Sequence, residues 1–109
     1  MDSEDNYKLY TKSLIIISIL QTIAYALLYM ILSHLNPHTF HNLTQENNFI
    51  DFWYFSVVIF TTTGFGDIYP LTTTGRFFVA TELIAGITLL ISIIYCNTKL
   101  IVSARKKPK

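Results

Sequence analysis

A short run near the middle of the chain carries residue types whose backbone can take part in chemistry. Residues 61–68, Thr-Thr-Thr-Gly-Phe-Gly-Asp-Ile, are too polar for lipid, yet they lie between segments too apolar for water. Glycines two residues apart can take positive φ without a Cβ clash, so the backbone can alternate in hand and turn successive carbonyls to one side. Carbonyls left unsatisfied at membrane depth are costly unless something replaces water, and a dehydrated cation would do so.

The elements on either side of this run are apolar and of membrane length. Residues 14–35 carry no formal charge and, as a helix, span about 33 Å, enough to cross a hydrocarbon core of about 30 Å. Residues 76–102 form a second, longer span that is expected to tilt. Between the spans, residues 50–61 are apolar and aromatic but too short to cross, which predicts a re-entrant helix. Its negative C-terminal end would face the polar run and favour a cation over an anion.

The remaining segments are polar or basic, and with the spans they make one domain over residues 1–109. Residues 1–13 suit an interfacial segment at the membrane surface, 36–49 an extracellular loop and 103–109 a basic tail. Two spans joined by a re-entrant loop place both termini on one side of the membrane. Lys and Arg are concentrated near the outer ends of the spans, which indicates the cytoplasmic side, with Arg76 as the exception.

Other functions of the polar residues are less well supported. The basic C-terminal end can indicate nucleic-acid binding, but beside a long apolar segment it favours a membrane anchor. His38 and His41 could bind a metal, yet no Cys or carboxylate lies at a suitable spacing, so we favour a solvated loop. The sequence 42–44, Asn-Leu-Thr, matches the glycosylation acceptor pattern, which is used only on a secretory route. We find no nucleophile–base pair or phosphate-binding lysine, and therefore expect neither enzymatic activity nor a cofactor.

The run 62–67, Thr-Thr-Gly-Phe-Gly-Asp, resembles the selectivity filter of potassium channels, usually Thr-Val-Gly-Tyr-Gly-Asp, and we call it the filter run. With the aromatic helix before it and two flanking spans, the chain resembles two-transmembrane potassium channels. Tyr69-Pro70, Gly75-Arg76 and the stretch 85–88 are similar to the bacterial KcsA pore, and the small size is similar to the miniature potassium channels of algal viruses. The resemblance implies an all-α membrane fold with two transmembrane helices, a re-entrant pore helix and a tetrameric pore. If the origin is viral, the pore would lie in a host plasma or internal membrane.

The resemblance also implies how the filter run would act. Backbone carbonyls of Thr62, Thr63, Gly64 and Phe65, with the Thr62 hydroxyl, would coordinate dehydrated K⁺, and Gly66 would lie at the outer mouth. One chain supplies oxygens from one side only, whereas a bare ion needs them on all sides. Three further copies of the chain are therefore expected as partners, in a homotetramer within the lipid bilayer.

The same resemblance implies roles for residues around the filter run. Asp67 would lie behind and above the filter, and Tyr54 would donate a hydrogen bond to it. Gly86 would be the hinge of the inner helix. Val58 stands where KcsA has a glutamate, so inactivation of that type is not expected. Three residues on one helix face are candidates for the inner pore or gate, with ordinary helix packing as the alternative: Leu90, Ile94 and Thr98.

The sequence leaves open the roles of Glu82 and of the acidic start, and two alternatives to a potassium-selective channel. Glu82 must pair or hydrogen-bond, most simply with pore-helix or filter groups of its own or a neighbouring subunit; a role in conduction is the alternative. The acidic start, Asp2, Glu4 and Asp5, can pair with the basic tail and influence opening. A non-selective cation channel and a non-conducting subunit of a host channel are the alternatives to a potassium-selective channel.

Overall fold

The computed structural model describes residues 3–106, which form three helices and one small sheet. In chain order these elements are α1 (Ser3–Leu35), β1 (Phe40–His41), α2 (Phe49–Phe60), β2 (Tyr69–Pro70) and α3 (Thr73–Lys106). The described chain is elongated, with extents of 60 × 19 × 18 Å. Helices α1 and α3 pack side by side, and α2 contacts both of them.

Helices α1 and α3 are the elements of the described chain that are long and apolar enough to cross a membrane. Their 33 and 34 residues extend for about 50 Å at about 1.5 Å per residue, more than a hydrocarbon core of about 30 Å. Many of their large apolar side chains are exposed, so lipid or other copies of the chain must cover them. The predicted fold, an all-α membrane protein with a short helix between two spans, is confirmed. The tetrameric pore remains a prediction.

The N-terminal boundary of α1 differs from the predicted one. The sequence predicts a separate interfacial segment over residues 1–13, whereas α1 runs without a break from Ser3 to Leu35. No Gly or Pro interrupts this stretch, and Glu4 and Asp5 lie in the first turn, where acidic side chains stabilise a helix N-terminus. The first turns of α1 therefore continue the same helix instead of forming a separate element, and their interfacial location stays a prediction.

The other helix boundaries differ by a few residues. Helix α3 begins at Thr73 and ends at Lys106, beyond the predicted span 76–102, and α2 begins and ends one residue before the predicted range 50–61. Arg105 and Lys106 lie in the last turn of α3, where cations interact favourably with the helix C-terminus. The remainder of the predicted basic tail, residues 107–109, and Asp2 of the acidic start lie outside the described residues.

The outer loop is more ordered than its composition indicates. Strand β1 pairs antiparallel with β2, which follows the filter run, so that Phe40 lies opposite Pro70 and His41 opposite Tyr69. The amide of Leu71 extends this pairing by donating to the Thr39 carbonyl at 2.7 Å. The sequence does not predict this sheet, because two-residue strands are too short to show alternation.

An aromatic core holds α2 between the two long helices. The rings of Tyr29 on α1, Phe40 in the loop and Phe55 on α2 contact each other pairwise with centroids 5.3 Å apart. Phe52 is also fully buried, and Val79 of α3 closes the cluster. Because all three helices and β1 contribute to this core, it fixes the position of α2 relative to the two long helices.

Candidate functional site

The start of α2 is fixed by a side-chain cap. The Asn48 side chain accepts a hydrogen bond from the Asp51 amide at 3.2 Å, so Asn48 is the N-cap. Asn47 donates to the Asp51 carboxylate at 3.0 Å, and that carboxylate lies in the first turn, at the positive end of the helix. These contacts define where the helix starts and, with its length, where its C-terminal end meets the filter run.

The chain leaves α2 through a tight turn built by three threonines. The amides of Thr61, Thr62 and Thr63 donate to carbonyls of the last helical turn at 2.9–3.0 Å. The Thr61 hydroxyl donates to the Val57 carbonyl at 2.8 Å and lies 2.7 Å from the Thr63 hydroxyl. The Thr63 side chain therefore contacts the end of α2.

The backbone alternates between right-handed and left-handed conformations along the filter run. Thr62, Gly64 and Gly66 have φ values of 59°, 56° and 84°, and among the described residues only Asn42 is also positive. Positive φ thus occurs at every second residue from 62 to 66, which is the alternation expected from the glycine spacing. For a β-branched residue such as Thr62 this conformation costs about 1–3 kcal/mol, so the surrounding structure must enforce it.

The filter run is exposed on the side away from its own chain. A Cβ added to Gly64 or Gly66 would meet no atom within 4 Å. Glycine is therefore required there because of the positive φ and not because of steric crowding. Residues 62–67 are all exposed, and Phe65 keeps 67% of its surface accessible. The described chain thus supplies one wall of a site and leaves the facing side open. Coordination of K⁺ by the carbonyls of residues 62–65 stays a prediction.

Asp67, at the outer end of the filter run, is held by three hydrogen bonds. Tyr54 of α2 donates to Oδ2 at 2.8 Å, the Ile68 amide to Oδ1 at 3.1 Å, and the Asn42 amide side chain to the Asp67 carbonyl at 3.1 Å. The bond to Asp67 raises the pKa of the Tyr54 phenol. The Tyr54 ring also lies parallel to that of Phe65, at 6.5 Å.

Asn42 is a supporting residue that sequence reasoning missed. The sequence pattern indicates Asn42 only as a glycosylation acceptor, whereas its side-chain nitrogen donates to the Asp67 carbonyl and its neighbour Leu43 is fully buried. Its positive φ of 61° is one that Asn tolerates better than most residues. The acceptor pattern therefore lies in a packed segment that contacts the filter run.

Glu82 connects all three helices behind the filter run. Its side chain is fully buried; Oε1 accepts from the Tyr29 hydroxyl at 2.7 Å and Oε2 from the Ser56 hydroxyl at 2.6 Å. Sequence analysis favours a partner among the pore-helix or filter groups of the same or a neighbouring subunit. Ser56 on α2 is such a group, whereas nothing in the pattern indicates Tyr29 on α1. Two short hydrogen bonds to a carboxylate compensate part of its desolvation.

Gly86, the predicted hinge, lies where α3 touches the end of α2. Helix α3 is continuous through this position. A Cβ at Gly86 would lie 3.0 Å from the Phe60 carbonyl oxygen and 3.1 Å from Phe60 Cδ2. Glycine thus allows a close approach of α3 to the filter end of α2, and the hinge role stays a prediction.

The gate candidates lie in the C-terminal half of α3, where most side chains are exposed or half-buried. Leu90 is half-buried, whereas Ile94 and Thr98 are exposed, with Ile94 keeping 63% of its surface accessible. Ile94 belongs to a longer exposed row on the same helix: Ile84, Ile87, Ile91, Ile94 and Ile101. The described part of the chain leaves about half or more of most of these side chains exposed, as expected of a surface that meets other copies, lipid or a pore.

His41, one of the two histidines weighed as metal ligands, stacks on Tyr69 with ring centroids 4.6 Å apart. Within residues 3–106 no group of three or more His, Cys, Asp or Glu side chains is placed to hold a metal ion.

Comparison with known proteins gives one family. A family model described as an ion channel matches residues 12–103, which include both spans, α2 and the filter run. Curated proteins give no match. Ion channels are not a family of enzymes, and their members lie in membranes, which agrees with the two helices of membrane length. The match covers most of the chain, and the chain therefore belongs to the family of two-transmembrane, potassium-type ion channels.

Proposed function

We propose that this protein is a homotetrameric channel that conducts K⁺ selectively and passively, with ions bound by backbone carbonyls of residues 62–65. The observation that carries the proposal is the alternation of backbone hand at Thr62, Gly64 and Gly66 in an exposed run at the end of α2. Such a backbone can present successive carbonyls to one side. Four copies around an axis would then surround a dehydrated ion.

The electrostatics around the filter run favour a cation. The C-terminal, negative end of α2 meets the filter run at Thr61, and α2 has no basic residue in its last turn. Asp67 adds an acidic group at the outer end, and the chain has no Lys or Arg between Ser13 and Gly75. An anion would therefore be repelled at the depth where a cation is stabilised.

The surface beside the filter run supports assembly with other copies. An apolar cavity of about 400 Å³ opens between α2 and the filter run, lined by Trp53, Val57 and Phe65 among others. Open apolar space next to exposed backbone would be unfavourable in a finished pore. A neighbouring copy that packs on this side of α2 would cover it.

The same proposal places both termini on the cytoplasmic side. The rings of Tyr7 on α1 and Tyr95 on α3 contact each other at 6.5 Å, so the start of α1 lies beside the last turns of α3. Lys8, Lys12 and the basic end of α3 thus gather at one end of the molecule, as the positive-inside rule requires of a cytoplasmic side.

Recording from purified full-length protein in planar bilayers tests the function. With unequal KCl, the reversal potential should follow the K⁺ gradient, and replacing K⁺ by Na⁺ on one side should shift it strongly. Equal permeability for the two ions would establish the alternative, a non-selective cation channel. Tetramers that carry no current would indicate a non-conducting subunit.

A further inference from the structure

The peptide group between Asp67 and Ile68 is fixed at both of its ends. Its carbonyl oxygen accepts a hydrogen bond from the Asn42 side-chain nitrogen at 3.1 Å, and its amide donates to Oδ1 of Asp67 at 3.1 Å. The other carboxylate oxygen, Oδ2, accepts from the Tyr54 hydroxyl at 2.8 Å. The side chain of Asp67 is thus attached to α2, whereas its backbone is attached to the outer loop.

This attachment is the outer of two anchors of the filter run. The inner anchor is the turn at residues 61–63, whose amides donate to carbonyls at the end of α2. Between the two anchors, residues 64–66 form no hydrogen bond within the described part of the chain. Two of these three residues are glycines, which have the widest choice of backbone conformations. The conformation of residues 64–66 therefore depends on how the two anchors hold their ends.

A well-packed turn presents Asn42 to the filter run. Phe40 and Leu43 form an antiparallel bridge on either side of the tip of this turn, and both side chains are almost fully buried. Asn42 at the tip has a φ of 61°, and the ring of the neighbouring His41 stacks on Tyr69. Because burial and strand pairing hold the turn in place, Asn42 loses little conformational freedom when it donates to the filter run.

The chemistry of the donor suits the mouth of a path for cations. An amide side chain donates a hydrogen bond without carrying a charge. A lysine or arginine could make the same bond, but its positive charge would repel a cation at the outer end of the filter run. The chain has no Lys or Arg between Ser13 and Gly75. Asn42 thus holds the Asp67 backbone without neutralising the negative charge of the Asp67 carboxylate.

We propose that Asn42 is a positioning residue for K⁺ binding, which holds the outer end of the filter run in its ion-binding conformation. The inference rests on the proposed function, because it concerns the same ion site. Asn42 does not touch the ion and acts through the peptide group that follows Asp67. Without this bond the peptide group can rotate, and the alternating backbone that ends at Gly66 loses its support from the outer loop.

Two substitutions remove the donor without straining the backbone. Asn42→Asp is nearly isosteric, Asn42→Gly is uncharged, and both residue types tolerate positive φ. KCl is titrated into the full-length protein in detergent, equilibrated with Na⁺, and isothermal titration calorimetry gives the K⁺ affinity. Because one hydrogen bond is lost from the ion-binding conformation, both variants should bind K⁺ about two- to tenfold more weakly than the unmodified protein.

Asn36→Asp is the matched control for charge. Asn36 precedes the same loop, and its side-chain oxygen accepts from the His38 amide at 3.0 Å, a bond that an aspartate keeps. The variant adds the same negative charge as Asn42→Asp but changes no contact of the filter run. Its K⁺ affinity should stay within about twofold of the unmodified protein. The added charge alone attracts cations, so it cannot account for weaker binding in Asn42→Asp.

Thermal unfolding separates positioning from a purely structural role. A bound ion stabilises the folded protein, so a weaker ion site gives a smaller rise in melting temperature when K⁺ replaces Na⁺. We expect this smaller rise in both Asn42 variants. A purely structural contact would lower the melting temperature equally in the two salts and leave the rise unchanged.

The carbonyl carbon of Asp67 reports the hydrogen bond itself, without ion current or titration. Hydrogen bonding deshields a carbonyl carbon, so its resonance should move upfield in Asn42→Gly. It should keep its position in Asn36→Asp. Solid-state NMR of the ¹³C-labelled full chain in liposomes measures both shifts.

Three outcomes would overturn the inference: unchanged K⁺ affinity in both Asn42 variants, an equal loss of affinity in Asn36→Asp, or an Asp67 carbonyl resonance that does not respond. An unmodified protein that binds K⁺ no more tightly than Na⁺ would instead overturn the proposed function, and the inference with it. The two failures are distinguishable, because the first leaves selective K⁺ binding by the unmodified chain intact.

Discussion

The outer half of the molecule (residues 22–86) and the inner half (3–21 and 87–106) are held together by different contacts. In the outer half, side-chain hydrogen bonds connect separate elements, as in Tyr29–Glu82, Ser56–Glu82, Tyr25–Thr81, Trp53–Thr22 and Tyr54–Asp67. In the inner half, hydroxyls of α3 bond to their own helix one turn earlier, as at Thr88, Ser92 and Thr98. Of the buried residues on α3, only Cys96 lies in the inner half.

This difference indicates which part of the fold is complete within one chain. The outer half has an aromatic core and cross-element hydrogen bonds, so it can hold the filter run in a strained backbone conformation. The inner half has few such contacts, and its stability must come from lipid or from other copies. Regions with few buried contacts open at low free-energy cost, so motion of α3 is expected below Gly86.

The largest effect is expected from substitutions in the filter run itself. Gly64→Ala or Gly66→Ala places a Cβ on a residue with positive φ, at a cost of about 1–2 kcal/mol in each copy of the chain. We expect loss of K⁺-selective current with expression and tetramer size largely unchanged, measured by bilayer recording and size-exclusion chromatography. Retained K⁺ selectivity in both variants would contradict the filter assignment.

Removal of the Glu82 side chain tests the outer half most directly. Glu82→Ala leaves the buried hydroxyls of Tyr29 and Ser56 without their acceptor, and should lower the free energy of unfolding by about 3 kcal/mol or more. Glu82→Gln keeps an acceptor and should cost clearly less. Thermal unfolding in detergent measures both, and similar stability of Glu82→Ala and the unmodified chain would show that this network does not support the fold.

A pair of serine substitutions compares the two halves with the same chemistry. Ser56→Ala removes a hydrogen bond between α2 and the Glu82 carboxylate, at an expected cost of about 1.5–3 kcal/mol. Ser92→Ala removes only a bond to the Thr88 carbonyl within α3 and should stay within about 0.5 kcal/mol. Denaturation curves of the two variants should therefore differ, and equal losses would remove the distinction between the halves.

Gly86→Ala tests the contact at the boundary between the halves. The new Cβ would lie 3.0 Å from the Phe60 carbonyl oxygen and should destabilise the fold by about 1 kcal/mol as α3 moves away. If Gly86 acts as a hinge alone, open probability would fall while thermal stability stays the same. A second substitution, Phe60→Leu, removes the Phe60 ring atom that the new Cβ would also contact. It should recover part of the lost stability if Gly86→Ala acts through packing, and should recover none if Gly86 acts only as a hinge.

The smallest effect is expected at the ends of the chain. Glu4 pairs with Lys8 on its own helix, at 3.7 Å and partly exposed, so charge reversal at Glu4 should change stability by less than about 1 kcal/mol. An influence of the acidic start on opening would appear as a shift in open probability when Asp2, Glu4 and Asp5 are all reversed. Unchanged gating after reversal of either end alone would rule it out.

Sequence reasoning was most successful where a long or strongly patterned segment carries the information. Hydropathy predicted both long helices and α2 to within a few residues at most boundaries, and glycine spacing predicted the alternating backbone at Gly64 and Gly66, but not the positive φ of Thr62. The missed contacts join residues far apart in the chain: Tyr29 lies 53 positions from Glu82, and Asn42 lies 25 positions from Asp67. No local pattern encodes such pairs, because they arise only when the aromatic core brings the elements together.

In the proposed tetrameric channel, the single-sided exposure of the filter run has a consequence for the cell that makes this protein. A lone strand of carbonyls cannot replace the full water shell of an ion, so a newly inserted monomer would leave the membrane insulating. Permeability would begin only when the complete ring has formed, and it would rise steeply with the density of chains in the bilayer. Assembly itself would thus protect the membrane potential during synthesis.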